Sequence, residues 1–349
     1  MSGVAPGQVP RTSPSPTSVT SHDVARLAGV SQATVSRALR PGTHVPEGTR
    51  RRVERAAQVL GYVPSRLGRS LVTQATGRIA MVADLGNPLF STLLTPIHDV
   101  LSELGYQTLL LAEHQERVED YSGLFDRSVD GAILSTATAG SMLPFELDRH
   151  SVPFVYLSRV VDMVERDSIS ADDRGGAEKV GRFLAELGHR DIGAILGPSV
   201  TSTGRDREDG FVRQLALAGI ALRREAVVHT EYTTPAGYAA LRHLMSLSPR
   251  PTALFCGNDW LAVGALNGAR ELGIDVPGEL TVVGFDDLPV AGWPVFDLTT
   301  VRNPVKDNAA EAARLLVRRI QAGPGAPYAH RLAPTELVLR GTHGPPPAP

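Results

Sequence analysis

Residues 19–39 read VTSHDVARLAGVSQATVSRAL, and their pattern predicts two short helices joined by a tight turn. Thr20 and Asp23 have the spacing of a capping box, in which side chains bind the free amide groups at a helix start. Gly29 suits the turn because glycine adopts the left-handed backbone conformation at little cost. Ser31 then caps a second helix.

The same residues have the spacing of a helix-turn-helix. Ala25 lets the two helices approach, Gly29 forms the turn, and Val35 fills the angle between them. A third helix is predicted over about residues 47–60. Its inward positions are Val53, Ala56, Ala57 and Leu60, and its outward positions are Arg50, Arg51, Arg52 and Arg55. The pattern therefore predicts a small head of three helices.

Charge is distributed unevenly along the chain. Residues 1–72 contain ten arginines and three acidic residues, a net charge of +7, whereas the 349-residue chain carries −2, which leaves −9 on the remaining 277 residues. A basic head on an acidic body is expected of a nucleic-acid-binding module joined to a domain with another role. A solvated surface, or codon bias toward arginine, is the alternative explanation of the charge alone.

From about Gly77 onward, short apolar runs alternate with amphipathic segments. The predicted strands are Arg78–Ala83, Gln107–Leu111, Gly131–Ser135, Phe154–Leu157, Ile192–Leu196, Ala226–Val228, Ala253–Cys256 and Thr281–Phe285. The predicted helices are Phe90–Leu104, Gly175–Leu187, Glu208–Leu217, Pro235–Leu247 and Trp260–Glu271, most of them closed by a glycine. This alternation predicts an α/β fold of doubly wound parallel sheets in two lobes, with a ligand cleft between them.

Composition excludes several classes of protein. The chain is 42% hydrophobic and 21% charged, without an apolar run long enough to cross a membrane, and its first residues lack a secretory signal, so we expect a cytoplasmic protein. The single cysteine, Cys256, excludes an intramolecular disulfide, and the histidines show no metal-ligand spacing. Neither GxGxxG after the first strand nor GxSxG is present, so we expect no enzyme activity and no cofactor.

The head resembles that of the lactose/galactose-repressor (LacI/GalR) family. The resemblance rests on residues 19–39 and on residues 49–71, TRRRVERAAQVLGYVPSRLGRSL. It implies that the second helix enters the major groove of operator DNA. The implied DNA contacts are Gln32, Ala33 and Arg37 at base edges, and Thr34, Ser36 and Tyr62 at phosphates. The chemistry agrees, because Arg37 can donate two hydrogen bonds to a guanine and Gln32 can pair with an adenine edge.

Residues 64–71 resemble the hinge segment of that family, which becomes a helix on DNA and inserts a leucine into the minor groove. Leu71 holds the position of that leucine, and a plain linker residue is the alternative. Gly68 stands where the family commonly has alanine. Because glycine costs a helix about 1 kcal/mol relative to alanine, the hinge helix is expected to be weak without DNA.

The body resembles the periplasmic-binding-protein-like core of the same family. The matching segments are GRIAMVADLGNPLFSTLL (77–94), DGAIL (130–134), ELGHRDIGAILGP (186–198), RPTALFCGNDWLAVGALNGARELGIDVPGELTVVGFDD (250–287) and LTTVRNP (298–304). With the head they cover about residues 19–342. The resemblance implies a small-molecule effector between the lobes.

Three effector contacts follow from the resemblance residue by residue: Arg207, Tyr232 and Asp259. Leu89 and Phe90 of the other lobe could supply the opposing wall, and Thr201 and Thr203 add polar groups. Ser158 is a further candidate contact. A carboxylate and a rigid guanidinium suit sugar hydroxyls or base nitrogens, and an aromatic ring suits the flat face of either ligand. Ser158 replaces an aspartate that the family often has there, so a sugar, a nucleoside-like molecule and other ligands all remain open.

Several of these residues have structural alternatives. Asp259 could cap the helix that follows it, and Arg207 could form a surface ion pair with Asp206 or Glu208. The adjacent carboxylates at 286–287 and at 172–173 look like catalytic pairs, but they follow strands in turns and are predicted to serve structure.

The predicted domains are a disordered tail (1–18), a helix-turn-helix domain (19–63), a hinge (64–76), a core (77–342) and a second disordered tail (343–349). Within the core, we expect an N-terminal lobe of about 77–173 plus 303–328 and a C-terminal lobe of about 174–302 plus 329–342.

The resemblance implies a DNA-binding transcriptional regulator whose partners are pseudo-palindromic operator DNA and a small-molecule effector. An extracytoplasmic sugar-binding protein of a transporter shares the two-lobed body, but it predicts a secretory signal and no basic head. A homodimer is expected, because THGPPPAP (342–349) cannot form the additional heptad helix of tetrameric members.

Overall fold

The computed structural model describes residues 19–39, 43–63, 75–113 and 121–348. The chain divides into two compact units, residues 1–76 and residues 77–349. The predicted tail at 1–18 lies outside the described residues, as do Gly68 and Leu71 of the predicted hinge.

The smaller unit is a head of three helices around a small apolar core. Its helices are α1 (Ser21–Ala28), α2 (Gln32–Ala38) and α3 (Glu47–Leu60). The Asp23 carboxylate accepts hydrogen bonds from the backbone N–H of Thr20 (2.9 Å) and from its hydroxyl (2.7 Å), which fixes the start of α1. Gly29 has a φ of +65°, so the turn takes the predicted left-handed conformation. The buried core consists of Val24, Ala25, Ala28, Val35, Ala38, Val53, Ala56 and Ala57.

The larger unit alternates strands and helices along the chain. Its strands are β1 (Arg78–Ala83), β2 (Gln107–Ala112), β3 (Gly131–Leu134), β4 (Phe154–Leu157), β5 (Ser168–Ala171), β6 (Ile192–Leu196), β7 (Val227–His229), β8 (Ala253–Cys256), β9 (Thr281–Asp286), β10 (Thr299–Arg302), β11 (His330–Ala333) and β12 (Glu336–Val338). Its α-helices are α4 (Phe90–Glu103), α5 (Ser122–Phe125), α6 (Leu143–Arg149), α7 (Asp173–Glu186), α8 (Ser202–Leu217), α9 (Thr234–Met245), α10 (Asp259–Glu271) and α11 (Val305–Ala322). Short 3-10 helices cover Arg224–Ala226 and Pro289–Gly292.

These strands form two sheets, one for each lobe. The N-terminal sheet has the order β11-β5-β4-β3-β1-β2, and the C-terminal sheet has the order β12-β10-β9-β8-β6-β7. The strand pairs of the described chain are parallel, apart from the antiparallel pair of β10 and β12. The predicted fold class, two doubly wound lobes after a helical head, is confirmed.

Both faces of each sheet are covered, which explains the continuous apolar runs of the strands. In β1, Ile79 and Met81 pack with α4 and α11 on one face. Ala80 and Val82 pack on the other face with Leu147 of α6. The carboxyl ends of the strands stay open toward the space between the lobes, where doubly wound sheets bind ligands.

One lobe boundary differs from the prediction. Strand β11 pairs in parallel with β5, from His330 opposite Ser168 to Ala333 opposite Ala171. Residues 330–333 therefore belong to the N-terminal sheet, although residues 329–342 were assigned to the C-terminal lobe. Their side chains are mostly exposed, so the segment has no apolar pattern from which a strand could be predicted.

Residues 343–348 also differ from the predicted disordered tail. The Gly344 carbonyl accepts hydrogen bonds from His189 Nε2 (2.9 Å) and Thr281 Oγ1 (3.0 Å). His343 Nδ1 lies 2.8 Å from Thr299 Oγ1. The prediction was wrong because composition measures apolar content, whereas polar bonds to the C-terminal lobe attach this segment. In the described ranges, none of the helices is long and apolar enough to cross a membrane.

Candidate functional site

Helix α2 of the head has one buried and one exposed face. Val35 and Ala38 are buried in the core of the head. Gln32, Ala33, Ser36 and Arg37, all predicted to contact DNA, are exposed. Ser31 Oγ accepts a hydrogen bond from the Thr34 backbone N–H at 3.2 Å and thus starts the helix.

The exposed face of α2 carries hydrogen-bond donors that are only partly paired with other described residues of the head. Gln32 Nε2 donates to Ser21 Oγ at 2.9 Å. The Arg37 guanidinium has no hydrogen bond or ion pair with any residue that the structure describes, so its donors are available to a partner. Thr34 and Tyr62 are half-buried, and Tyr62 packs against the core of the head. The predicted phosphate contacts of these two residues stay predictions.

Arg50 corrects one part of the predicted basic surface. Its guanidinium donates to the carbonyl of Ala38 and to that of Thr43 (2.8 Å), so it caps the end of α2 rather than pointing outward. Arg51 is exposed and pairs with Glu47 at 3.0 Å. The sequence did not predict that Arg50 caps α2, because helical spacing indicates only which side of α3 faces away from the apolar core.

The larger unit encloses a cavity between the carboxyl ends of its two sheets. The cavity contains about 660 Å³ of space between protein atoms, part of it open to solvent. Six of the predicted effector residues line it: Leu89, Phe90, Ser158, Thr203, Arg207 and Tyr232.

Arg207 is the centre of a buried ion-pair network in this cavity. Its Nε donates to Asp173 at 2.7 Å and its Nη2 donates to Asp286 at 3.0 Å, while Nη1 bonds the Gly257 carbonyl. The guanidinium also lies over the Phe285 ring, 3.8 Å from its centroid. The predicted alternative of a surface pair with Asp206 or Glu208 was wrong, because Arg207 is buried.

Burial and charge act against each other in this network. Burial raises the pKa of Asp173 to about 6, although Arg207 opposes the shift. Burial disfavours the charged form of Arg207, yet Asp286 and Asp173 raise the pKa of its guanidinium. Asp286 has a φ of +108°, a strained conformation for a residue other than glycine. Its carboxylate accepts hydrogen bonds from Arg207 and from Asn303 Nδ2, 3.2 Å away.

Two predicted effector residues do not line the cavity. Asp259 is fully buried, and its carboxylate accepts hydrogen bonds from the Leu288 N–H (2.7 Å) and the Thr300 hydroxyl (2.5 Å). Burial raises the pKa of Asp259 well above its usual range. Thr201 Oγ1 accepts the Gly204 N–H at 3.1 Å and caps α8. Both side chains are occupied within the C-terminal lobe, so their predicted ligand contacts are not supported.

Other cavity residues were missed from the sequence. Asp173 and Asp286 were assigned to structure alone, whereas both line the cavity, together with Arg159 and Asn303. Each follows a strand or starts a helix at the open end of a sheet, which is the signal that could have indicated them. Within the described ranges, no group of histidine, cysteine and acidic residues could hold a metal ion.

Comparison with known proteins identifies the family. The family model described as "Bacterial regulatory proteins, lacI family" matches residues 20–65, and that described as "Periplasmic binding protein-like domain" matches residues 182–343. The HTH-type transcriptional repressor CytR of Escherichia coli K12 is 33% identical over 334 residues, which cover 93% of this chain and 96% of CytR. The chain belongs to the LacI family. The predicted family is confirmed, and the chain is a DNA-binding transcriptional regulator rather than an enzyme.

Further LacI-family proteins match over nearly the whole chain. The regulator CelR of Thermobifida fusca is 34% identical over 330 residues, 91% of this chain and 96% of CelR. The structure of a CelR–cellobiose complex has a TM-score of 0.72 and 31% identity, covering 93% of this chain and 99% of that one. The lac repressor dimer bound to operator and the anti-inducer ONPF has a TM-score of 0.83 and 26% identity, covering 93% and 98%.

Proposed function

We propose that the protein is a homodimeric, cytoplasmic regulator that binds pseudo-palindromic operator DNA through α2. A sugar or similarly hydroxylated metabolite in the cleft between the lobes would control its affinity for that DNA. The observation that carries the proposal is the exposed face of α2, on which the Arg37 guanidinium is unpaired with any described residue. This face presents a base-reading group on a helix narrow enough for the major groove.

We expect Arg37→Ala to weaken specific operator binding by about 1–3 kcal/mol per half-site, because a bidentate contact to a base edge is lost. The operator is first selected from random duplexes with the wild-type protein. Fluorescence anisotropy at one fixed salt concentration then gives the affinity for the selected duplex and for an unrelated one. The difference between these two affinities measures specificity.

Arg51→Ala is the matched control for Arg37→Ala. Arg51 is also an exposed arginine of the head, but it lies on α3 and pairs with Glu47. Its loss should weaken binding to both duplexes about equally or not at all. An Arg37→Ala protein that retains the full preference for the selected duplex would show that α2 is not the reading helix.

The proposed homodimer is supported by the solved lac repressor dimer and by an exposed sheet edge. Strand β2 is the edge of the N-terminal sheet, and its Leu109 and Leu110 are each 38% exposed. An unpaired strand edge is a place where a partner chain can pack. Sedimentation velocity at micromolar concentration should show one species of twice the chain mass. A stable monomer under these conditions would contradict the proposed dimer.

The effector assignment rests on the cavity and on ligands of related structures. The solved CelR complex contains cellobiose, and a LacI-family regulator of Enterococcus faecium, 27% identical with a TM-score of 0.67, contains ribose. Because the two binding equilibria are linked, a ligand that changes operator affinity must itself bind differently to the DNA complex. Operator titrations with and without each ligand test this coupling, and a ligand that stabilises the core while leaving operator affinity unchanged would argue against it.

A further inference from the structure

We propose that the effector carries an anionic group, a carboxylate or a phosphate, and that Arg159 binds this group in the cleft. The inference rests on the proposed function, because it takes the cavity between the lobes as the effector site. It adds the chemical class of the ligand, which is a hydroxylated molecule with an anionic substituent.

Arg159 is a charged residue of the cavity wall whose side chain is bound by no other residue that the structure describes. It follows β4 and lines the cavity beside Ser158. Its backbone N–H donates to the Leu157 carbonyl at 2.9 Å, but within the described chain its guanidinium makes no hydrogen bond or ion pair. Burial in the cavity wall lowers the pKa of this guanidinium, because the charged form loses solvation there. A partly desolvated cation without a counter-ion is unfavourable, so an anion bound there would relieve the cost.

The neighbouring Arg207 differs from Arg159 in this respect. Each nitrogen of the Arg207 guanidinium already donates to a protein oxygen, and its charge is balanced by Asp173 and Asp286. After burial, the proximity of the Arg207 charge is a further cause that lowers the pKa of Arg159. Two guanidiniums therefore face one cavity, and within the described ranges Arg207 has negative partners in contact whereas Arg159 has none.

The acidic residues that the structure describes near the cavity do not fill that role. Asp173 and Asp286 bind Arg207, and Asp84 accepts the Gly86 N–H at 2.8 Å. Asp84 and Glu231 are near enough to favour the charged form of Arg159, but neither forms an ion pair with it. The positive charge of Arg159 is thus left to the cavity.

The groups around Arg159 suit a hydroxylated ligand. The Tyr232 hydroxyl is buried and has no hydrogen-bond partner in the described protein. Thr203 and Asn303 line the same cavity with neutral polar groups. Ser158, directly before Arg159, contributes a hydroxyl, so no carboxylate at that position repels an anion. Acidic sugars and sugar phosphates combine these features, whereas a neutral sugar leaves the guanidinium without a counter-ion.

The test compares ligands that share one scaffold. Thermal shifts of the full chain are measured with D-glucose, D-glucuronate, D-glucose 6-phosphate and inorganic phosphate, with ionic strength held constant by sodium chloride. We expect at least one of the two anionic sugars to bind about tenfold or more tightly than glucose, and inorganic phosphate to raise the Tm. The two anionic sugars distinguish a carboxylate from a phosphate as the recognised group.

Variants of Arg159 test whether its positive charge, rather than the shape of the cavity, determines the binding of anions. Arg159→Gln should weaken binding of each stabilising anion by about tenfold or more, a clearly larger loss than any it causes for glucose, whereas Arg159→Lys should retain part of the phosphate affinity. Arg213→Gln is the control, because Arg213 is an exposed arginine of α8 that does not line the cavity. It should bind every ligand as the wild type does.

Two results would overturn the proposal. One is that no anion stabilises the wild type beyond chloride, and the other is that Arg159→Gln binds anions as tightly as the wild type. If glucose then binds and loses affinity in Tyr232→Ala, the anionic class is wrong but the cleft remains the effector site. If neither Arg159→Gln nor Tyr232→Ala changes the binding of any ligand, the proposed effector site fails as well.

Discussion

Arg207→Met is expected to lower the free energy of unfolding of the core by about 3–5 kcal/mol, the range for breaking a buried ion pair. The substitution keeps an apolar side chain over Phe285 but removes the cation between Asp173 and Asp286, whose side chains are only 6% and 5% exposed. Urea unfolding can be followed by the fluorescence of Trp260 and Trp293, since both tryptophans of the chain lie in the core unit.

The loss of unfolding free energy caused by Arg207→Met should become larger as the pH rises. Burial already raises the pKa of Asp173 to about 6, and removing Arg207 should raise it further. When the pKa of a carboxyl group is higher in the folded state than in the unfolded state, its contribution to folding stability is fully present below the unfolded-state pKa. That contribution is lost as the pH rises through the folded-state pKa. The variant should therefore be closer to the wild type at pH 5 than at pH 8.

Arg174→Met is the control for the buried network. Arg174 of α7 also bonds two carboxylates, Asp206 at 3.2 Å and Asp209 at 3.0 Å, but its side chain is 48% exposed. Exposed pairs of this kind contribute about 0–1 kcal/mol. Equal losses in Arg174→Met and Arg207→Met would show that burial of the Arg207 network does not determine its contribution.

Runs of apolar residues and the positions of glycines predicted those parts of the fold that depend on residues close in sequence. Strands β1, β4 and β8 have the predicted bounds, because runs of buried apolar residues mark a strand covered on both faces. Gly105 and Gly273 end helices at φ values of +84° and +68°, as their positions predicted. Strands β5, β10, β11 and β12 were not predicted, since they are short and polar or depend on partners distant in sequence.

The cavity likewise has features that the sequence order predicts and features that depend on contacts distant in sequence. The order of strands predicts that residues at their carboxyl ends meet there, and Arg207 and Tyr232 do. The order of strands does not predict which carboxylate lies in the cavity wall and which forms its hydrogen bonds within the lobe. Asp259 is held by the Leu288 N–H and the Thr300 hydroxyl, whereas Asp286, at a φ of +108°, accepts a hydrogen bond from Arg207 in the cavity wall. Both depend on contacts between distant segments, which residue types alone do not reveal.

Helices α9 and α10 of the C-terminal lobe touch through two glycines. A Cβ atom on Gly237 would lie 2.2 Å from the Leu261 carbonyl oxygen, and one on Gly264 would lie 2.1 Å from the Thr234 carbonyl oxygen. These neighbours are backbone atoms, which no change of rotamer can move. The contact therefore sets the distance between the two helices, and Asn258, which caps the start of α10, lies in the wall of the cavity.

We expect Gly264→Ala to lower the free energy of unfolding of the core by about 3 kcal/mol, at the upper end for overpacking, since one or both helices must move. The gain of about 1 kcal/mol in helix propensity offsets only part of this cost. Gly268→Ala on the same helix is the control, because its Cβ would meet the movable Leu241 Cδ2 at 2.7 Å rather than backbone. Urea unfolding followed by tryptophan fluorescence should show a clearly smaller loss for Gly268→Ala. If Gly264→Ala unfolds at the same urea concentration as Gly268→Ala, the two helices are free to separate and their close contact does not set the shape of the cavity wall.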